Sequence, residues 1–157
     1  MPGPTNLQAT MITTTTYGSW LPGDLRGYVD DGRVLPPDPA KLNHARELMK
    51  GDPVRLNADE QSIAFDALLS ACDEYNYRLL AVSIESWHAH ILLHHGHEPV
   101  STTAARLKAA VRVALDRGRI WTTGYDKRYC FTPQHVDARR QYIARHPGHR
   151  PIPPTRP

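Results

Sequence analysis

A chain of 157 residues, 40% of them apolar, suffices for one domain with a proper core and leaves no room for a second full-sized unit, so residues 1–157 read as a single domain. Two scattered cysteines, Cys72 and Cys130, give neither a disulfide framework nor a CxxC pair. The longest strongly apolar run is Leu79-Leu80-Ala81-Val82, and MPGPTNLQAT at the N-terminus has no basic-then-apolar pattern, so a soluble, cytoplasmic protein without membrane span or signal peptide is expected. The net charge of +3 conceals an asymmetry, −6 over residues 1–100 against +9 over 101–157, which is the footprint of a polyanion partner or, more plainly, of a solvated helix face.

In chain order, residues 9–18, ATMITTTTYG, are rich in β-branched side chains and predict a strand. A turn-rich loop follows from Ser19 to about Pro39, punctuated by Pro22-Gly23 and Pro36-Pro37 and long enough to suggest a purpose. Residues 40–50 fit a short helix. Asn57 with Glu60 three positions on resembles a capping box opening a helix through about Tyr75, whose inner stripe is Ala64, Ala67, Leu68, Ala71 and Tyr75. Two strands, Tyr77–Glu85 and His88–His94, are joined by Ser86-Trp87, which predicts an antiparallel hairpin.

After the loop Gly96–Pro99, Ser101 or Thr102 is the expected cap of a helix running to about Arg117, with Leu107, Val111 and Ala114 or Leu115 inside and Gly118 closing it. A strand is expected within Ile120–Phe131. Thr132 as N-cap and Pro133 at the first helical position announce the last helix, and Pro147-Gly148 stops it. The proline-rich tail, about 148–157, is expected to be mobile or laid over the surface. This order suits an α+β fold: a ferredoxin-like antiparallel sheet with two helices on one face and a C-terminal helix beyond them.

His88-Ala89-His90 opens an apolar strand, and alternation puts both imidazoles on one face, opposite Ala89, Ile91 and Leu93. Two nitrogens at i and i+2 can converge on one metal ion, although paired histidines also occur on ordinary exposed strand faces. His94 shares that face but lies farther along. Tyr142 and His146 are four residues apart on the last helix, one turn apart on one side. A phenol with a pKa of about 10 is a weak nucleophile until its target is activated. The plain alternative is a tyrosine packed on the sheet.

Taken together, the His-hydrophobic-His strand, the helix containing Leu107-Lys108, then Trp121, then Tyr142-Ile143 followed by His146-Pro147 resemble the single-tyrosine HUH transposases, especially the REP-associated tyrosine transposase branch. The resemblance runs from about Met11 to Pro147. It implies that His88 and His90 bind a divalent cation, Mn or Mg, that polarises the scissile phosphate of single-stranded or hairpin DNA. It further implies that Tyr142 attacks to give a 5′-phosphotyrosine and a free 3′-hydroxyl. At position 146 the family has Asn or Gln as third ligand and this chain has His. Three imidazoles favour Mn, Co, Ni or Zn over Mg. Pro147 biases His146 away from helical geometry. Family members include monomers and dimers that exchange the tyrosine helix, so a homodimer is possible.

In the loop after the first strand, Tyr17 and Trp20 accompany Arg26 and three glycines; Trp20 either stacks on unpaired bases or plugs the core edge. Arg106, Lys108, Arg112, Arg139, Arg140 and Arg145 are candidate phosphate contacts or simply solubilising charges. Two other functions compete with strand transfer: a nucleic-acid-binding module that has lost chemistry, and a hydrolase in which the histidines activate water and Tyr142 only assists.

Overall fold

The strand and helix periods read above assemble, in a computed structural model describing residues 3–30 and 33–154, around one antiparallel sheet. The elements are β1 (Ala9–Thr15), β2 (Tyr28–Asp30), β3 (Arg33–Leu35), α1 (Pro39–Glu47), α2 (Ala58–Glu74), β4 (Arg78–Ile84), β5 (His88–His94), α3 (Val100–Leu115), β6 (Asp126–Cys130), α4 (Pro133–Ala144) and β7 (His149–Arg150). The main sheet runs β6-β1-β5-β4-β7 with every pairing antiparallel, and its first four strands have the ferredoxin-like order. The expected α+β class is therefore the observed one. No helix among the described residues is long and apolar enough to cross a membrane.

The period-2 alternation of β1, β4 and β5 divides the sheet into two faces. Ile12, Val82, Ile84, Ala89, Ile91 and Leu93 point one way and pack with Ala64, Leu68 and Ala71 of α2 and Ala104, Leu107 and Val111 of α3. Ala9, Met11, Ala81, Leu92 and Cys130 point the other way and meet Ile143 of α4. α4 thus lies on the opposite face from α2 and α3. A smaller cluster holds it there, so α4 depends on Ile143 more than α2 or α3 depends on any one residue.

Caps are as the sequence indicates for α2 and α4. Asn57 and Glu60 form both bonds of the capping box, and Thr132 Oγ1 accepts from the His135 N–H with Pro133 next to it. The start of α3 differs: Pro99 occupies the N-cap, its carbonyl accepting from the Thr102 and Thr103 N–H groups, and neither Ser101 nor Thr102 caps. Proline lacks an N–H and its carbonyl still opens the helix, so the helix begins earlier than its hydroxyl residues suggest. The first strand stops at Thr15 rather than residue 18, because Thr16 and Tyr17 direct their N–H groups to Trp87 and Ile120 and Gly18 turns the chain at φ +75°. Within Ile120–Phe131 only Asp126–Cys130 is strand, while Trp121 makes an isolated bridge to Thr16. The 19–39 loop contains the β2–β3 hairpin, whose turn lies outside the described residues.

Residues 148–150 are laid on the sheet, and the last three residues of the proline-rich tail lie outside the described residues. β7 pairs with β4 through His149↔Ser83 and Val82↔Arg150, and the Ile84 N–H donates to the Gly148 carbonyl at 2.9 Å. A side chain at Gly148 would overlap the Ile84 carbonyl, so only glycine permits this approach. The contact fixes the end of α4 against the sheet.

Candidate metal and nucleophile site

His88 and His90 project from β5 onto the α4 face, both buried at 6% exposure. His146 reaches them from just beyond the end of α4, where its N–H bonds the Ile143 carbonyl and Pro147 prevents another helical turn. One nitrogen from each of the three rings lies within 4.8 Å of the others. Ligands around a cation with metal–nitrogen bonds of about 2.1 Å stand about 3–3.5 Å apart, so small side-chain rotations would close the set. Ring centroids are 4.8 Å apart for His88 and His90, 4.5 Å for His90 and His146, and 5.8 Å for His88 and His146.

Each imidazole has a different outer neighbour. His146 Nδ1–H donates to the Tyr142 carbonyl at 2.8 Å, so Nε2 is the nitrogen left for a ligand. His90 Nδ1 is 2.7 Å from Thr13 Oγ1; with the ring as donor, its Nε2 is likewise free. His88 Nδ1 is buried with no hydrogen-bond partner among the described residues, and Glu85 Oε2 stands 3.7 Å away. A carboxylate behind a histidine is a common means of orienting a ligand ring.

Burial, followed by the neighbouring His88 and His146, pushes His90 down to about 3; burial also lowers His88, opposed by Glu85. Both rings are therefore neutral near pH 7, the form that ligates metals. An orphaned buried nitrogen and three converging imidazoles, two of them held neutral by burial, fit a borderline divalent cation.

Tyr142 joins this cluster. Its ring centroid is 5.3 Å from that of His90 and 4.8 Å from that of His146, and the residue is 38% exposed. A nucleophile there is beside the prospective metal and open to a substrate. His94, by contrast, is at the far end of β5 beside a cleft shared with Arg78 and Arg140.

The basic residues divide. Arg139 and Arg145 lie on or next to α4, as does Arg140; Arg145 is exposed with its Nε bonded to the Gln141 carbonyl. Arg106, Lys108 and Arg112 belong to α3, which covers the opposite face, and none of them joins the site. Lys108 donates to the Thr122 and Gly124 carbonyls at 2.9 and 2.8 Å, while Trp121 Nε1 donates back to the Lys108 carbonyl at 3.1 Å. Those two motif residues lock a loop onto α3. Arg106 pairs with Glu98, which also accepts from the Tyr77 and Thr103 hydroxyls. Arg26 is likewise engaged, its Nε and Nη2 bonding both oxygens of Asp24 at 2.8 Å. Arg106, Lys108 and Arg112 thus lie across the sheet from the histidines and Tyr142.

Sequence reasoning did not single out Thr13, Glu85 or Trp87. Thr13 meets His90 only through the β1–β5 register. Glu85 and Trp87 flank the hairpin turn next to His88, and that adjacency was the available signal.

No family model matches this sequence, and no curated protein does. Among solved structures, the chain superposes on a REP-associated tyrosine transposase bound to a REP hairpin, with a TM-score of 0.55 at 10% identity over 86% of this chain and 63% of that one. The two share a fold. A provisionally assigned transposase of Deinococcus radiodurans R1 is also similar, with a TM-score of 0.47 at 16% identity over 90% of this chain and 92% of that one. Because this chain spans 63% of the REP-associated transposase's length and few residues are identical, the likeness is one of fold, in agreement with the resemblance read from the motifs.

Proposed function

We propose that this chain is a metal-dependent HUH-type enzyme that nicks single-stranded or hairpin DNA and transfers the strand through Tyr142, as a transposase or a domesticated relative. The observation that carries the reading is the approach of Tyr142 to three converging imidazoles supplied by a strand and by the end of a helix distant in sequence. The REP hairpin held by the transposase of the same fold supports hairpin DNA as the substrate class.

His88, His90 and His146 would hold the cation. When bound, it would neutralise charge on the scissile phosphate and draw electron density from phosphorus. Tyr142 Oη attacks phosphorus, the bond to the 3′-oxygen breaks, and that oxygen takes up a proton while the phenol proton leaves to solvent. The product is a 5′-phosphotyrosine and a free 3′-hydroxyl. Attack by a 3′-hydroxyl reverses the step and rejoins strands, with the phosphodiester energy conserved and no ATP required. Arg139, Arg140 and Arg145, carried with Tyr142 on one helix, would meet phosphates on either side of the nick. All four residues come from one chain, so a homodimer is not needed to complete the site. Three imidazole ligands favour Mn over Mg.

The test is incubation with labelled single-stranded DNA containing hairpins, with Mn or Mg in turn, followed by denaturing electrophoresis. The expected result is a covalent adduct, stronger in Mn, that Tyr142→Phe reduces by at least about a thousandfold. Cleavage that survives in Tyr142→Phe would favour water as nucleophile. Salt-sensitive binding without any adduct would leave a binding module.

A further inference from the structure

The loop after β1 builds a column of flat groups that ends on the histidine cluster. Arg26 lies over the Trp20 ring with its guanidinium carbon 4.1 Å from the centroid, and over Trp87 at 4.9 Å. The two indoles are 5.4 Å apart, and Trp87 is 3.9 Å from the His88 ring. Its two outer members are fixed in advance. Trp20 Nε1–H donates to the Gly27 carbonyl at 2.7 Å, and the guanidinium is gripped by Asp24 and by the Ser19 carbonyl.

Two features of this column need a reason. Its outermost ring, Trp20, is 40% exposed although rigidly held, and the charge of Arg26 is cancelled by Asp24. A guanidinium neutralised in this way is a poor phosphate clamp and a good spacer between aromatic planes. Arg26 also lines a cavity of about 610 Å³ together with Arg46, Arg55, Asp24 and Asp52, so that one arginine charge is left over, a volume within the range of about 300–1,000 Å³ typical of ligand clefts. Flat apolar surface beside a cationic cleft is the pattern that holds an unpaired base and its sugar-phosphate.

We propose that Trp20, Arg26 and Trp87 form a stacking subsite for an unpaired nucleobase of the DNA strand, next to the phosphate positioned at the histidines. The subsite rests on the single-stranded-DNA reading above and deepens it. A base on Trp20 would set the strand's register relative to Tyr142. Stacking tolerates any base, so the subsite orients the strand and leaves sequence choice to other contacts.

The test compares binding of an oligothymidylate about twelve nucleotides long with an abasic strand of equal length, which keeps the phosphates and lacks the bases. Wild-type protein is expected to bind the thymidylate roughly 5- to 150-fold more tightly, the range that one stacked base provides. Trp20→Ala should lose most of that ratio and Trp20→Phe should keep part of it. Equal binding of both strands by the wild type, or an undiminished ratio in Trp20→Ala, overturns the subsite alone, and the Tyr142 adduct can still form. Failure to bind either strand overturns the single-strand reading and the subsite with it. Should Trp20→Ala not fold, fluorescence quenching by the thymidylate, compared between wild type and Trp20→Phe, decides the same point.

Discussion

On the face covered by α2 and α3, the central strands present Ile12, Val82, Ile84, Ala89, Ile91 and Leu93, all buried against helix side chains. On the face covered by α4, the same strands present Met11 and Leu92 at one end and Thr13, Ser83, His88 and His90 at the other. Burying a polar group without a partner costs about 1–3 kcal/mol. Two such atoms, Ser83 Oγ and His88 Nδ1, are buried and unpartnered on the α4 face among the described residues, and one, Thr14 Oγ1, is on the α2/α3 face. The α4 face gathers the three imidazoles. The first face carries most of the apolar packing, and the second carries the imidazoles and Tyr142.

The comparison breaks most clearly with one substitution on each face. Leu107→Ala removes a fully buried side chain of α3 and should lower global stability by about 2–5 kcal/mol, read from urea unfolding, because it leaves a cavity in the large cluster. Gly148→Ala drives a methyl group into the Ile84 carbonyl and should displace the chain that carries His146. Its expected effect is a loss of divalent-metal affinity of about 10- to 100-fold by titration calorimetry, the range seen when a ligand's support is removed. The strands of the first face should stay folded. Equal metal affinity in the two variants would mean that the end of α4 does not depend on the β4 contact.

The division into faces was largely legible. Alternation in HAHILLH places His88 and His90 opposite Ile91 and Leu93, and the caps at Asn57 and Thr132 are where their side chains predict. The pairing of Tyr142 with His146 at one helical turn was legible for the same reason, since helical period is local information. What could not be read depends on chain crossings. Which face α4 takes, and so which arginines share the site, follows from the return of the chain after β6. The Thr13–His90 bond needs the strand register. The β2–β3 hairpin was missed although Asp31-Gly32 between β-branched residues is a hairpin signal, because the surrounding prolines and glycines read as continuous loop.

Acid should sharpen the comparison further, since it acts on the α4 face first. Burial holds His90 down to about 3, below the ordinary value of 6.5. Above pH 6.5 neither the folded nor the unfolded ring binds a proton, so His90 leaves stability unchanged. As pH falls below 6.5 the unfolded chain takes up a proton that the folded site refuses, and stability declines until the folded ring itself titrates. With chelator present, unfolding in urea should show a loss on the order of 1 kcal/mol between pH 7.5 and pH 5, after discounting for partial solvent access. His90→Gln should flatten that slope. An unchanged slope in the variant would remove His90 as its source.

The smallest expected effect concerns charge. If the DNA strand lies along the α4 face, only cations on that side release counterions when it binds, and each phosphate contact contributes about one unit to the slope of log affinity against log salt. Arg145, exposed beside Tyr142, should count; Arg112, exposed on α3 across the sheet, should not. Arg145→Ala is therefore expected to reduce the slope by somewhat less than one unit, and Arg112→Ala to leave it unchanged. Lys108 is unsuitable for this purpose, because removing it orphans the Thr122 and Gly124 carbonyls and would mix a stability change with a charge change. A slope reduced by Arg112→Ala and not by Arg145→Ala would put the strand on the α2/α3 face, away from the imidazoles, and the basic C-terminal third of the chain would then serve a surface unrelated to Tyr142.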